Sequence, residues 1–138
     1  MRPLFLVDTN ILSQPVRPIP DPEVIRHLQQ HDGRIATATL VWHELLFGCY
    51  RLPPSARRTM IERYLHDVVS PAVPLLDYDA RAAQWHAAER ARLAAAGITP
   101  PFVDGQIAAV AAVNGLVLAT LNHADFQCFE GLKLADWG

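Results

Sequence analysis

The chain has 138 residues, enough for one domain and too few for two ordinary ones. Hydrophobic residues make up 51% and charged residues 19%, which excludes a wholly disordered chain and allows a core that buries roughly two-thirds of the unfolded surface. A formal charge of −2 excludes the uniformly basic surface of a nucleic-acid coat protein, but not a local basic face. Cys49 and Cys128 form no CxxC pair, so alone they build neither a disulfide scaffold nor a four-ligand zinc site. No apolar run approaches the roughly 18 residues of a membrane span, and the opening Leu4-Phe5-Leu6-Val7-Asp8 carries no signal-peptide pattern. We therefore expect a single domain over residues 1–138, in a reducing cytoplasm and away from membranes. Eleven of the twelve basic residues are arginine, with Lys133 the exception. Arginine's planar fork suits phosphate, but codon bias in a GC-rich, alanine-rich chain gives the same composition.

In chain order, short β-like runs alternate with longer helical stretches. Leu4–Val7 reads as a buried strand between Pro3 and Asp8. The prolines from Pro15 to Pro22 mark a loop that feeds a helix over Glu23–His31. Arg34–Ala38 is the second strand, and Thr39 the N-cap of a helix through Trp42 and Leu46 towards Tyr50. Pro53-Pro54 breaks that helix, and Ser55 starts another that carries Arg57, Arg58 and Arg63. Val73–Leu76 is the third strand. Asp79 caps a helix from Ala80 to Ala96, stopped by Gly97. Ile107–Val113 is an all-apolar helix ended by Gly115, and Leu116–Thr120 is the fourth strand. A last short strand falls near Leu132–Leu134. This alternation predicts βαβ units, hence a three-layer α/β/α sandwich on a mostly parallel sheet. In such sheets sites form beyond the carboxyl ends of strands, where the strand order reverses.

The polar residues that follow the strands therefore carry the argument. Asp8 follows the first strand directly. Glu44 sits one turn into the Thr39 helix, between apolar neighbours. Asp104 opens the apolar helix, and Asp125 lies in the segment after the fourth strand. Carboxylates in apolar surroundings need a hydrogen bond, a partner charge or a metal. Asp8 and Asp104 also fit turn or N-cap roles, Glu44 fits a half-exposed helix position, and Asp125 fits a plain surface site. Oxygen-only clusters at strand ends suit hard cations such as Mg²⁺ or Mn²⁺, which activate water and clamp phosphodiesters. His43-Glu44-Leu45-Leu46-Phe47 begins like HExxH but ends in Phe47, which excludes a zinc protease. No GxGxxG, Walker loop or GxSxG is present. His43 and His123 stand beside candidate acids and could contact phosphate.

Four segments together carry a family likeness: Leu6-Val7-Asp8-Thr9-Asn10-Ile11-Leu12-Ser13, Trp42-His43-Glu44-Leu45, Asp104-Gly105-Gln106-Ile107-Ala108-Ala109 and Thr120-Leu121-Asn122-His123-Ala124-Asp125-Phe126. In order and separation they resemble PIN-domain ribonucleases, and in particular the VapC toxins of type II toxin–antitoxin systems. The closing Leu132-Lys133-Leu134-Ala135-Asp136-Trp137 is similar to the tail of many such chains.

That resemblance implies a PIN-like fold and a Mg²⁺- or Mn²⁺-dependent endoribonuclease. It also implies a homodimer, silenced by a VapB-like antitoxin, that cleaves RNA phosphodiesters with metal-activated water. Asp8, Glu44 and Asp104 match the family's acidic positions and Asp125 its more variable fourth, while Asn10, Thr120 and Asn122 fall among site-lining polar residues. On this reading the metal ligands are Asp8, Asp104, Glu44 and Asp125: Asp8 and Asp104 hold the ion, Glu44 also orients or activates water, and Asp125 completes the shell. Asn122, where relatives often carry another acid or polar residue, competes with Asp125 for the fourth-ligand role. Arg57, Arg58, Arg90 and Arg92 are candidates for RNA phosphates, or else form pairs such as Glu89 with Arg92. The alternatives are a catalytically dispensable, antitoxin-binding co-repressor, and a phosphatase with Asp8 as nucleophile. The phosphatase is disfavoured because Asn10 stands where it needs a second acid.

Overall fold

The structure, a computed structural model, describes residues 2–138. The apolar run after Pro3 forms β1 (Phe5–Val7), and the chain turns at once into the single-turn α1 (Thr9–Leu12) and a 3₁₀ turn over Gln14–Val16. Pro22 then starts α2 (Pro22–Gln30), where its missing N–H is no loss, and the Asp21 side chain accepts from the Glu23 N–H. β2 (Ile35–Ala38) leads directly into α3 (Thr39–Tyr50). Thr39 is the first helical residue rather than the expected N-cap. Ala38 takes the cap position and supplies no side-chain bond there.

Ser55 does cap α4 (Ala56–Arg63), accepting from the Arg58 N–H. The chain continues through a π-helical turn at Tyr64–Val69 and the short α5 (Ser70–Ala72) to β3 (Leu75–Leu76). Asp79 accepts from the Ala82 N–H at 2.9 Å to open α6 (Ala80–Ala95). At the other end Gly97, at φ +77°, lets Ile98 N–H reach the Leu93 carbonyl at 2.8 Å, the closed end expected from a glycine just past a helix. The last elements are α7 (Phe102–Val113), β4 (Val117–Ala119), α8 (His123–Phe126) and β5 (Leu134–Ala135).

The five strands form one parallel sheet in the order β3-β2-β1-β4-β5. β1 lies at its centre, with Phe5 opposite both Ile35 and Val117. The chain winds outward from β1 to β3, then crosses back beyond β1 to β4. Right-handed crossovers put the connections before and after that reversal on opposite faces, which gives the expected sandwich. Leu6, Val7, Leu118 and Ala119 have no exposed surface, as strands covered on both faces require. Each large aliphatic side chain buried this way contributes about 1.5–3 kcal/mol of transfer free energy. β3 and β5 are shorter or later than the apolar runs suggested, because only two residues of each pair with a neighbouring strand. Among the described residues no helix is long and apolar enough to cross a membrane.

Candidate active site

The reversal in strand order lies between β1 and β4, and the carboxyl ends of these two strands carry the first site residues. Asp8 follows β1 and Thr120 follows β4, and the Asp8 N–H donates to the Ala119 carbonyl at 3.0 Å. The Thr37 hydroxyl on β2 donates to the Val7 carbonyl at 2.7 Å and so ties the end of β1 from its other side. Asp8 is buried, with 7% of its surface exposed. Its Oδ1 accepts from Thr9 N–H at 2.8 Å and its Oδ2 from the Thr120 hydroxyl at 3.0 Å. Asp8 thus caps α1, as one of its two readings from the sequence expected.

Thr120 and Asn10 stitch the loops together. The Thr120 hydroxyl donates to Asp8 and accepts from the Asn122 N–H at 3.0 Å. Asn10 Oδ1 accepts from the Leu121 N–H at 3.2 Å. Asn10 therefore braces the β4 loop rather than presenting its oxygen to the acids. Asn122 and Asp125 are exposed on the same loop, Asn122 just before α8 and Asp125 within it.

Asp104 lies in the first turn of α7, which begins at Phe102, and so is not that helix's N-cap. Its carboxyl is raised to about 6, by burial first and then by the charges of Asp8, Asp125 and Glu44. The carboxyl of Asp8 is raised too, by burial above all, with Glu44 and Asp125 adding to it against the bonds from Thr9 and Thr120. Four acids distant in sequence thus stand close enough to feel one another's charge. Among the described residues no three His, Cys, Asp or Glu side chains form a preassembled metal cage. What fits a divalent cation is the donor chemistry: oxygen ligands only, and mutual repulsion that a hard cation relieves.

Glu44 projects from α3 and is exposed, and its Oε2 accepts from the Thr9 hydroxyl at 2.8 Å. It stands between two depressions. One is a groove of about 680 Å³ lined by Thr9, Val16, Arg17, Leu45, Arg57 and Tyr64, among others. The other, about 430 Å³, is lined by Thr39, Leu40, His43 and Val103. Thr9 was not singled out in the sequence. Its only signal there was its place between Asp8 and Asn10.

Of the arginine candidates, Arg58 is paired with Glu62 at 2.8 Å and Arg92 with Glu89 at 2.8 Å, the pairing weighed as their alternative role. Arg90 lies over the Phe102 ring. Arg57 lines the large groove together with Arg17. His43 lines the smaller cleft, and His123 Nε2 is buried without a hydrogen-bond partner.

The PIN-domain family model matches residues 5–128. The chain belongs to the PIN-domain family. It is 29% identical to the tRNA(fMet)-specific endonuclease VapC of Shigella flexneri, over 96% of this chain and 97% of that one. The DNA-bound VapBC structure from Salmonella typhimurium superposes with a TM-score of 0.83 at 26% identity, covering 99% of each chain. The FitAcB structure from Neisseria gonorrhoeae superposes at 0.89, covering 97% of this chain and 98% of that one; at 24% identity this is a likeness of fold. The parallel sheet and the PIN segments expected from the sequence are both present.

Proposed function

We propose that this chain is a single PIN domain over residues 1–138 that acts as a VapC-like toxin, a divalent-metal-dependent endoribonuclease held in check by a VapB-like antitoxin. The observation that carries this reading is the gathering of four acids: Asp8 at the end of β1 is joined through Thr9 to Glu44 of α3, and with Asp125 they stand near enough for their charges to help raise the carboxyl of Asp104. Its support from the relatives is the endonuclease named VapC, similar over nearly the whole chain.

Asp8 and Asp104 would hold the cation, since burial and neighbouring acids disfavour the ionised form of each and a positive charge offsets that. When bound, Mg²⁺ or Mn²⁺ supplies the positive charge that offsets the acids and activates water towards phosphorus. Thr120 and Thr9 keep both oxygens of Asp8 in place by donating to them. Glu44, the exposed acid, would add a ligand oxygen to the cation and orient the attacking water or take its proton. Asp125 adds a fourth charge, and Asn122, exposed on the same loop, contacts substrate.

The groove beside Glu44 has apolar walls with Arg17 and Arg57 on them, and suits an apolar antitoxin segment carrying carboxylates. A peptide seated there covers Glu44. We place the protein in the cytoplasm with its RNA substrates. The reading is tested by mapping the ends of RNA cut by purified protein, with initiator tRNA as the first substrate. Cleavage that needs Mg²⁺ or Mn²⁺ and stops in EDTA supports it; cleavage by metal-stripped protein in chelator overturns it.

A further inference from the structure

Among the described residues, Thr9 alone hydrogen-bonds two of the site acids. Its backbone N–H donates to Asp8 Oδ1 and its hydroxyl to Glu44 Oε2, both at 2.8 Å. The two acids are held very differently. Asp8 is buried and has both oxygens bonded. Glu44 is exposed, and the Thr9 hydroxyl is the only hydrogen-bond partner of its carboxylate among the described residues. An exposed glutamate samples its side-chain rotamers freely, at an entropic cost when one must be chosen.

A hydroxyl has one proton, and here it goes to Glu44. The bond selects one placement of that carboxylate and leaves Oε1 unbonded. Thr9 itself is fixed by its backbone, as the first residue of α1 directly after the end of β1. The position of Glu44, on an element 35 residues away, is therefore referred to the same strand end that positions Asp8.

We propose that Thr9 is a positioning residue that sets the spacing of Glu44 and Asp8 for a divalent cation. This rests on the metal-dependent reading of the site. Thr9→Val keeps the side chain's shape and the backbone N–H but removes the hydroxyl, and Thr9→Ser keeps the hydroxyl. Mn²⁺ titrated into the full-length protein and followed by electron paramagnetic resonance reads affinity without catalysis.

Thr9→Val should weaken Mn²⁺ binding about tenfold, about 1.4 kcal/mol, while Thr9→Ser stays within about twofold of wild type. The turnover number for RNA should fall with it, and the KM for RNA should not change. In a Glu44→Gln background Thr9→Val should add little further loss, because the pair is already broken. Should Thr9→Val fail to fold by circular dichroism, Thr9→Ala carries the same expectation. Unchanged Mn²⁺ affinity in Thr9→Val, equal losses in the Val and Ser variants, or full additivity with Glu44→Gln overturns the proposal. A wild type that binds Mn²⁺ but cuts no RNA removes the nuclease reading and leaves Thr9 to be decided by the binding series. A wild type that binds no Mn²⁺ removes both.

Discussion

Gly105 and His86 claim the same space: a Cβ on Gly105 would run into His86 Nε2 and stand 2.7 Å from Cδ2. The imidazole cannot easily give way. Its Nδ1 is 3.0 Å from the Tyr78 hydroxyl, and Phe102 packs edge-on against it with centroids 4.8 Å apart. Burial first, then Arg90, lowers its pKa, so the ring is neutral where it meets α7. The glycine therefore lets α6 and α7 approach closely, one residue after Asp104.

Gly105→Ala should destabilise the fold although alanine is the better helix former. Overpacking costs about 1–3 kcal/mol and the gain in propensity returns about 1. A melting temperature lower by about 2–4 °C is expected in calorimetry. Shortening the neighbour as well, in His86→Ala with Gly105→Ala, should cost less than the sum of the two single changes.

Asp104 makes stability depend on pH in a direction unusual for an aspartate. Its folded-state pKa of about 6 lies above the ordinary 3.8. Between those values the folded chain keeps a proton that the unfolded chain has lost. Stability from this group is thus full below pH 4 or so and lost as pH rises through about 6. Asp104→Asn removes the titration. Without divalent cations the variant should be more stable than wild type near pH 7.5 by about 1 kcal/mol, discounted for solvent screening, and the gap should close near pH 4. Urea unfolding at the two pH values measures it, and an equal gap at both contradicts the charge argument.

Glu44→Gln keeps the size of the side chain but removes the charge that binds a cation or accepts a proton. Cleavage should fall by about a hundredfold or more, and toxicity on expression should vanish. Circular dichroism should survive, since Glu44 is exposed and packs into no core, and antitoxin binding should survive because Arg17 and Arg57, not Glu44, meet the carboxylates of the peptide. A variant that fails to fold would show Glu44 to be structural instead.

Asp125 and Asn122 can be told apart by metal titration. Asp125 adds to the charge that raises Asp104 and Asp8, whereas an amide brings none. Asp125→Asn should raise the Mg²⁺ needed for half-maximal activity severalfold. Asn122→Ala should instead weaken RNA binding. The opposite assignment of effects would move the ligand role to Asn122.

The strands at the switch point and the long helix α6 were legible because their signals are local. Apolar runs ending at Asp8 and Thr120 mark strand ends, and Asp79 and Gly97 mark helix ends. Asp8 and Asp125 stood out by their places after those strands, and Glu44 and Asp104 by their apolar neighbours. What local pattern could not show was pairing across distance. Thr9 meets Glu44 only once α1 and α3 are packed, and Thr120 meets Asp8 only once β4 lies beside β1. The one-turn helices α1 and α8 are too short for a periodic signal, and tertiary contacts hold them.

Assembly provides the last expectation. Phe47, Tyr50, Met60, Val68 and Phe102 are about half exposed on helices or the π-turn, more large apolar surface than a monomer needs to show. Light scattering on antitoxin-free protein should report about twice 15.3 kDa. A strict monomer at high concentration would count against a dimer.

The Asp8–Thr120 bond joins positions 112 residues apart, and the central strand β1 is flanked on one side by β4. A growing chain on the ribosome therefore carries Asp8 long before it has the partners that hold it. Asp104, Thr120 and Asp125 all follow in the last third of the 138 residues. On the nuclease reading, a chain terminated before these residues lacks what completes the site, and is inert debris rather than a poison.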